Sequence, residues 1–552
     1  MPPAAVRKQL FPGVSMGLET KFRRGRLTKC QFVTSYASLS IVRNFLLLLC
    51  ASLLFPFVPA SGLAAQSRDI DLPLPALVDR LTWGATSAEL AQARQLGARK
   101  YILKQLKPDP SATLPEPVRR HISALSISKL SAQDALIGVR RYQVQVNLMP
   151  DGPQKTEGLK EVRRKTRARL QEAAQRATWR ALYSPNQLHE QMSWFWFNHF
   201  NIYGDKGLVG AVIDDYEDRA IRPYALGKFR DLLEATMRSP AMLIYLDNQR
   251  NRHEQVNENY ARELMELHTL GLQGGYTQKD VQELARILTG MGVLYNKQPP
   301  RLSSDLSKQL VHQGAFLFNP AQHDFGTKNF LGQQIKGEGY QEIKRAIDIL
   351  SRHPATARHI STKLAEFFVA DDPPRALIDT MAKTFQSSDG DIAATLQTMF
   401  FSEAFAESLE AGKFKDPVHY TYSALRLAYA NLPPLTRADI VNDWLQRMGQ
   451  PWYGRLTPDG YPLARSDWSG SGQMVVRFDL ARQIASTYQV FYRAKNKKTV
   501  VALPALPRLL DTYGESGLFQ DLSPATRQVV SQAETDQAAN MYLLASPEFM
   551  LH

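Results

Sequence analysis

The densest run of reactive side chains is the fifteen-residue string Asn257-Glu-Asn-Tyr-Ala-Arg-Glu-Leu-Met-Glu-Leu-His-Thr-Leu-Gly271. Asn257 has the chemistry of a helix N-cap and Gly271 that of a C-terminal stop, so one helix is predicted over about 258–270. At about 100° per residue, Tyr260, Leu264 and Leu267 share an apolar face. Asn259, Glu263 and Glu266 form a stripe at i, i+4 and i+7; Glu263 borders the apolar face on one side and His268 on the other. Glu258 and Arg262 form a favourably ordered i,i+4 ion pair, and Arg262 also reaches Glu266. Turned inward, this stripe would bind a cation or act as a general base. Glu263, Glu266, His199 and His268 would then be the catalytic groups, with Arg262, Asn259, His323 and Asp324 binding substrate. Turned outward, it is a solvated face whose salt bridges are worth about 0.3–0.5 kcal/mol each.

Glu263 and His268 lie roughly 140° apart on a straight helix and cannot chelate one ion together. Neither Glu-x-x-His nor His-x-x-x-His occurs in the string. A divalent metal would need ligands from elsewhere, and the sequence leaves open whether any cofactor binds. Two segments offer histidines. His199 sits in Trp196-Phe-Asn-His-Phe200 on a helix that is apolar all round, where a hydrogen-bonded core histidine and a ligand are both admissible. His323-Asp324 lies in a polar turn, where the pair suits turn chemistry as well as a site. Thr277-Gln-Lys-Asp280 reads as a capping box and His353-Pro354 as a helix start. No nucleophile elbow, P-loop or Gly-rich dinucleotide fingerprint is present.

The elements that must position these residues are mostly helices. The fold class is mainly α: a large multi-helix domain with a small β-hairpin insertion. A basic amphipathic helix is expected over about 157–182, with Arg163, Arg164, Lys165, Arg167 and Arg169 on a solvated face. Ser184-Pro185-Asn-Gln187 is expected to cap the aromatic helix that follows. Further helices are predicted at about 224–238, 278–289, 340–351, 355–369, 375–386, 391–400, 417–430, 475–490 and 533–544. Ala315–Phe318 and Lys328–Leu331 are expected to pair as the hairpin. The Pro/Gly/Ser-rich stretch 449–472 reads as a long loop or junction, which divides the chain into 1–65, 66–183, 184–448 and 449–552.

Of 552 residues, 44% are apolar and 22% charged, the composition of a globular chain. The formal charge is +14, of which residues 1–44 carry +7; the remainder is too thinly spread to argue for nucleic acid. Residues 1–65 have the form of a secretory leader: a basic stretch, the apolar run Phe45–Phe55, then small residues up to Ala65. Export to the periplasm or the extracellular space is expected, with no stable membrane span once the leader is removed. Both cysteines, Cys30 and Cys50, fall in the leader, which excludes disulfides and cysteine nucleophiles from the rest.

The string at 257–271, followed by Gly275-Tyr-Thr-Gln-Lys-Asp-Val281 and Ala285-Arg-Ile-Leu-Thr-Gly290, resembles the bacterial exported family catalogued as domain of unknown function 1800. Leu81-Thr-Trp-Gly84, Trp196–Phe200, His323-Asp324 with Lys328, His353–Ala357, Lys363-Leu364 and Ser546–Phe549 fit the same pattern, over about 77–550. The resemblance implies an exported, mostly helical protein. By association it also implies a partner from the neighbouring exported family numbered 1501. It carries no catalytic residue. Two functions follow as expectations: an envelope or extracellular enzyme with a Glu/His/Arg pocket, or a non-catalytic scaffold of an envelope complex.

Overall fold

Helix starts in the chain are set by short-range caps that the sequence spells out. Thr86 with Glu89, and Thr277 with Asp280, form complete capping boxes for helices Ser87–Leu96 and Gln278–Ile287. His353 Nδ1 accepts from Ala355 N at 3.2 Å and opens Pro354–Phe368, and Asp416 Oδ1 accepts from His419 N at 2.8 Å and opens Pro417–Tyr429. The computed structural model describes residues 72–493, 503–514, 517–519 and 522–552, so the expected leader and both cysteines lie outside the described residues. The protein is mainly α, and Ser67–His552 cluster as one compact unit. The stretch 449–472 is loop apart from a short helix at Arg465–Trp468 and the start of the helix Ser471–Ser486. Among the described residues, no helix is long and apolar enough to cross a membrane.

The basic helix spans Pro153–Tyr183 and packs on Ala438–Arg447. Of its apolar side chains, Val162, Ala174, Ala177 and Ala181 are buried, and Leu159 and Leu170 are half-buried. Its basic face divides. Arg164 pairs with Glu161 and Arg167 with Asp205 in solvent, but Arg169 is buried and grips Asp214 through two 2.7 Å bonds. That corrects the solvated-face expectation at Arg169: its partner comes from a turn 45 residues on. Arg176 and Arg180 pair in the same way with Asp218, at 2.7 and 2.5 Å. Asp218 belongs to a π-helical segment, Tyr216–Ile221.

The aromatic helix begins at Gln187, three residues after the expected cap. Gln187 instead ties back, donating to the carbonyls of Ala181 and Ser184 and accepting from Trp83 N. The single expected hairpin is two sheets. β1 (Met291–Val293), β2 (Val311–Gln313) and β3 (Phe316–Phe318) form an antiparallel sheet in the order β1-β3-β2, while β4 (Lys328–Phe330) pairs with β5 (Gln333–Ile335). Each expected strand pairs with its near neighbour across a two-residue loop. The β4–β5 loop, Leu331-Gly332, has φ of 47° and 74°, the positive pair that closes a tight hairpin.

Candidate functional site

The signature string forms a shorter helix than its spacing predicts, Asn259–Glu266. The N-cap residue is Glu258, one position after the expected Asn257, whose Oδ1 nonetheless accepts from Asn259 N at 3.0 Å. At the other end the chain widens: His268 N bonds five residues back to Glu263 O, Thr269 Oγ1 donates to Leu264 O, and Gly271 N reaches Met265 O. His268 therefore lies beyond the helix, which corrects its expected place on the helical face. The widened turn swings its ring into the core, 5.1 Å from the Phe200 ring and 6.1 Å from that of His199.

His199 and His268 thus come together, and a third histidine joins them. The His359 ring lies 5.9 Å from His199. His199 Nε2 donates to the carbonyl of His268 at 3.1 Å, and His359 Nε2 to that of Leu267 at 3.0 Å. The two imidazoles clamp the end of the signature helix. Neither nitrogen of His268 has a partner, and burial pushes that ring down to about 3. Burial also holds His199 well below the usual histidine range, with His359 and His268 adding repulsion, and lowers His359. All three are neutral at physiological pH. Among the described residues, no group of three or more His, Asp or Glu side chains is placed to hold a metal ion.

The glutamates face another way. Arg262 bonds Glu258 at 3.2 Å, Glu266 at 3.4 Å and Gln278 at 2.8 Å, as the spacing predicts for the first two. Burial first, then the neighbouring Glu266 carboxylate, raises the Tyr276 hydroxyl above its usual range. Asn259 Nδ2 donates to the carbonyl of Leu246 at 3.1 Å and so holds the helix to the preceding chain. Glu263 differs from its neighbours. It is half-buried, its electrostatic surroundings are Glu266, Arg262 and Asp459, and burial first, then the two carboxylates, raise its carboxyl above the usual range.

Asp459 arrives on a loop that the aromatic helix holds in place. Asn198 Nδ2 donates to Tyr461 O, and its Oδ1 accepts from Tyr461 N at 2.6 Å. Asn201 Nδ2 donates to the carbonyls of Arg455 and Thr457, and Tyr245 Oη to that of Leu456. Gly460, at φ 76°, lets the loop lie against Asn198: a Cβ there would stand 2.2 Å from the Asn198 carbonyl oxygen.

His323 and Asp324 belong to a separate network, which corrects their expected place beside Arg262 and Asn259. His323 Nδ1 bonds the Thr289 carbonyl and its Nε2 bonds Glu342 Oε1, both at 2.8 Å. Glu342 Oε2 pairs with Lys328 Nζ at 2.5 Å, and its Oε1 accepts from Gly339 N. The three side chains are wholly buried. Asp324 pairs with Arg286 at 2.8 Å. With each of its ionic groups matched, this network serves to fix the β4 region to the helix Tyr340–Arg352.

Sequence reasoning passed over His359, Tyr245, Tyr276, Asp459 and Glu342. Tyr276 stood in a quoted motif, and His359 stands two residues beyond another. Asp459 carried no local signal, because only the fold brings its loop to Glu263. A family profile described as protein of unknown function (DUF1800) matches residues 76–551. No curated protein and no solved structure matches the chain.

Proposed function

The chain belongs to this family of unknown function, DUF1800, and we propose that it is an exported enzyme whose proton-exchanging group is Glu263. The observation that carries the reading is a half-buried carboxyl, raised by burial, set beside a second carboxyl, Glu266, that is paired with Arg262 at 3.4 Å. Two carboxyls in unequal surroundings are the usual arrangement for separating acid from base roles. In this reading Arg262 holds Glu266, while Asn198, Asn201 and Tyr245 position the Asp459 loop. His199 and His359 are positioning residues, neutral, enclosed and bound to the end of the helix that presents Glu263, with the His268 ring packed beside them. Export rests on the leader-like residues 1–65.

The test is a screen of the purified chain against aryl esters, aryl phosphates and aryl glycosides. Turnover should fall at least 100-fold in Glu263→Gln and survive in Glu258→Gln, with both variants melting as the parent does. Turnover that ignores Glu263 would overturn the assignment. The scaffold reading is favoured by a different observation, that the histidines spend their bonds on backbone carbonyls and that His323 is fully matched. It predicts no turnover in the screen and full complementation of a deletion strain by Glu263→Gln.

A further inference from the structure

A second polar region lies away from the signature helix. The helix Phe229–Met237 and its cap residue carry Asp231, Glu234, Ala235 and Arg238 at i, i+3, i+4 and i+7, one face of an α-helix. That face, the π-helical segment with the residue before it, and the β2–β3 turn line a half-open cavity of about 590 Å³. The volume falls in the range of small-molecule sites. A π turn inside helical structure is a feature that recurs at functional sites.

The lining is polar and graded, with Arg219 at an exposed rim and Arg238 and Glu234 further in. Arg219 pairs with Asp215 at 3.1 Å, and Arg238 with Glu234 at 3.5 Å. The Arg238 guanidinium lies over the Phe316 ring at 5.1 Å and donates to Gln313 Oε1 at 2.6 Å, so its fork is already held. Gln133 Nε2 donates to the Gly314 carbonyl at 2.9 Å and ties a neighbouring helix to the β2–β3 turn. Asp215 is largely buried, and burial raises its carboxyl.

We propose that this cavity binds a neutral oligosaccharide. Each ion pair offers guanidinium donors beside carboxylate acceptors, and a sugar hydroxyl both donates and accepts, so adjacent hydroxyls can satisfy both halves of a pair at once. An anionic ligand is disfavoured: the lining carboxylates Asp215, Asp231 and Glu234 outnumber the guanidiniums of Arg219 and Arg238, which are already paired. An apolar ligand would strip water from these ion pairs and offer no hydrogen bond to either half.

The experiment is saturation-transfer NMR and calorimetry on the purified chain. The probes are neutral di- to tetrasaccharides of the gluco-, manno-, galacto- and xylo- series, with oligogalacturonate as the anionic comparison. At least one neutral series should bind, with oligogalacturonate weaker. Ala235→Trp, which fills the cavity, and Asp215→Asn, nearly isosteric, should each weaken binding about tenfold or more while the thermal melt stays within a few degrees of the parent. The proposal is overturned if no neutral series binds at millimolar concentration, if oligogalacturonate binds best, or if a bound sugar is indifferent to both substitutions. None of these outcomes depends on Glu263.

Discussion

Glu263 and His268 sit five residues apart and carry opposite perturbations, each with a thermodynamic consequence. Glu263 has a folded-state carboxyl above the usual range. Folding therefore favours its protonated form, and its charged form costs stability once the pH exceeds the folded value. Glu263→Gln is expected to stabilise the protein at pH 7 by about 0.5 kcal/mol, a small figure because the group is half exposed and screened. Urea denaturation at pH 7 and pH 4 checks this: the gain should shrink at the lower pH, and a loss at pH 7 would contradict the assignment. His268 presents two buried nitrogens without partners. Replacing such a group by an apolar side chain of similar size removes a desolvation penalty of about 1–3 kcal/mol. His268→Leu is thus expected to be neutral or stabilising, and a loss above about 2 kcal/mol would mean that the ring holds a bound molecule.

At the scale of elements, what the sequence revealed divides by range. The box at Thr277/Asp280 and the helix start at His353 were legible because cap and capped amide lie within three residues. The Arg262 pairs were legible because a helix places i and i+4 together. Three features needed the tertiary fold: the early end of the signature helix, set by where His268 finds room; the pairing of Arg169, set by Asp214; and the Asp459 loop, set by Asn198 and Asn201. The fold class was legible, but the pairing of β3 with β1 and β2 was not, since β1 and β2 are each only three residues long. The Arg169–Asp214 pair gives a sharp test. Both side chains are under a tenth exposed, so Arg169→Met leaves a buried carboxylate alone and should cost about 3–5 kcal/mol. The double variant with Asp214→Leu should recover most of that loss in a double-mutant cycle. Gly84 is the second such test. At φ 119°, with Ser423 Cα 2.5 Å from where a Cβ would lie, Gly84→Ala should lower stability by about 2 kcal/mol or more. That close approach gives a physical reason for glycine in Leu81-Thr-Trp-Gly84.

Across the whole molecule, the fold encloses histidines in neutral form. His199 and His359 clamp the signature helix with His268 enclosed beside them, and His552 is buried beside Arg80, His419 and two lysines. Burial lowers all four below the ordinary value of about 6.5. In the unfolded chain each takes up a proton as the pH drops below that value, while the folded chain resists to lower pH, well below it for His199 and His552 and about 3 for His268. The unfolded state then binds more protons, so stability rises with pH across this window and is lost as pH falls from 6.5 towards 3. Each histidine contributes at most about 1.4 kcal/mol per pH unit. Glu190, held down to about 2 by Arg222, and Asp416, lowered by His419, extend the loss below the ordinary carboxylate range. The raised carboxyls of Glu263 and Asp215 act in the other direction, but they are fewer and less buried than the histidines. The expected unfolding curve falls between pH 6.5 and 4.5 with a slope of more than one proton, and His268→Leu should flatten it by one proton in the same range. A stability flat over that interval would mean that the histidines meet solvent, and with that the clamp on the signature helix would be lost.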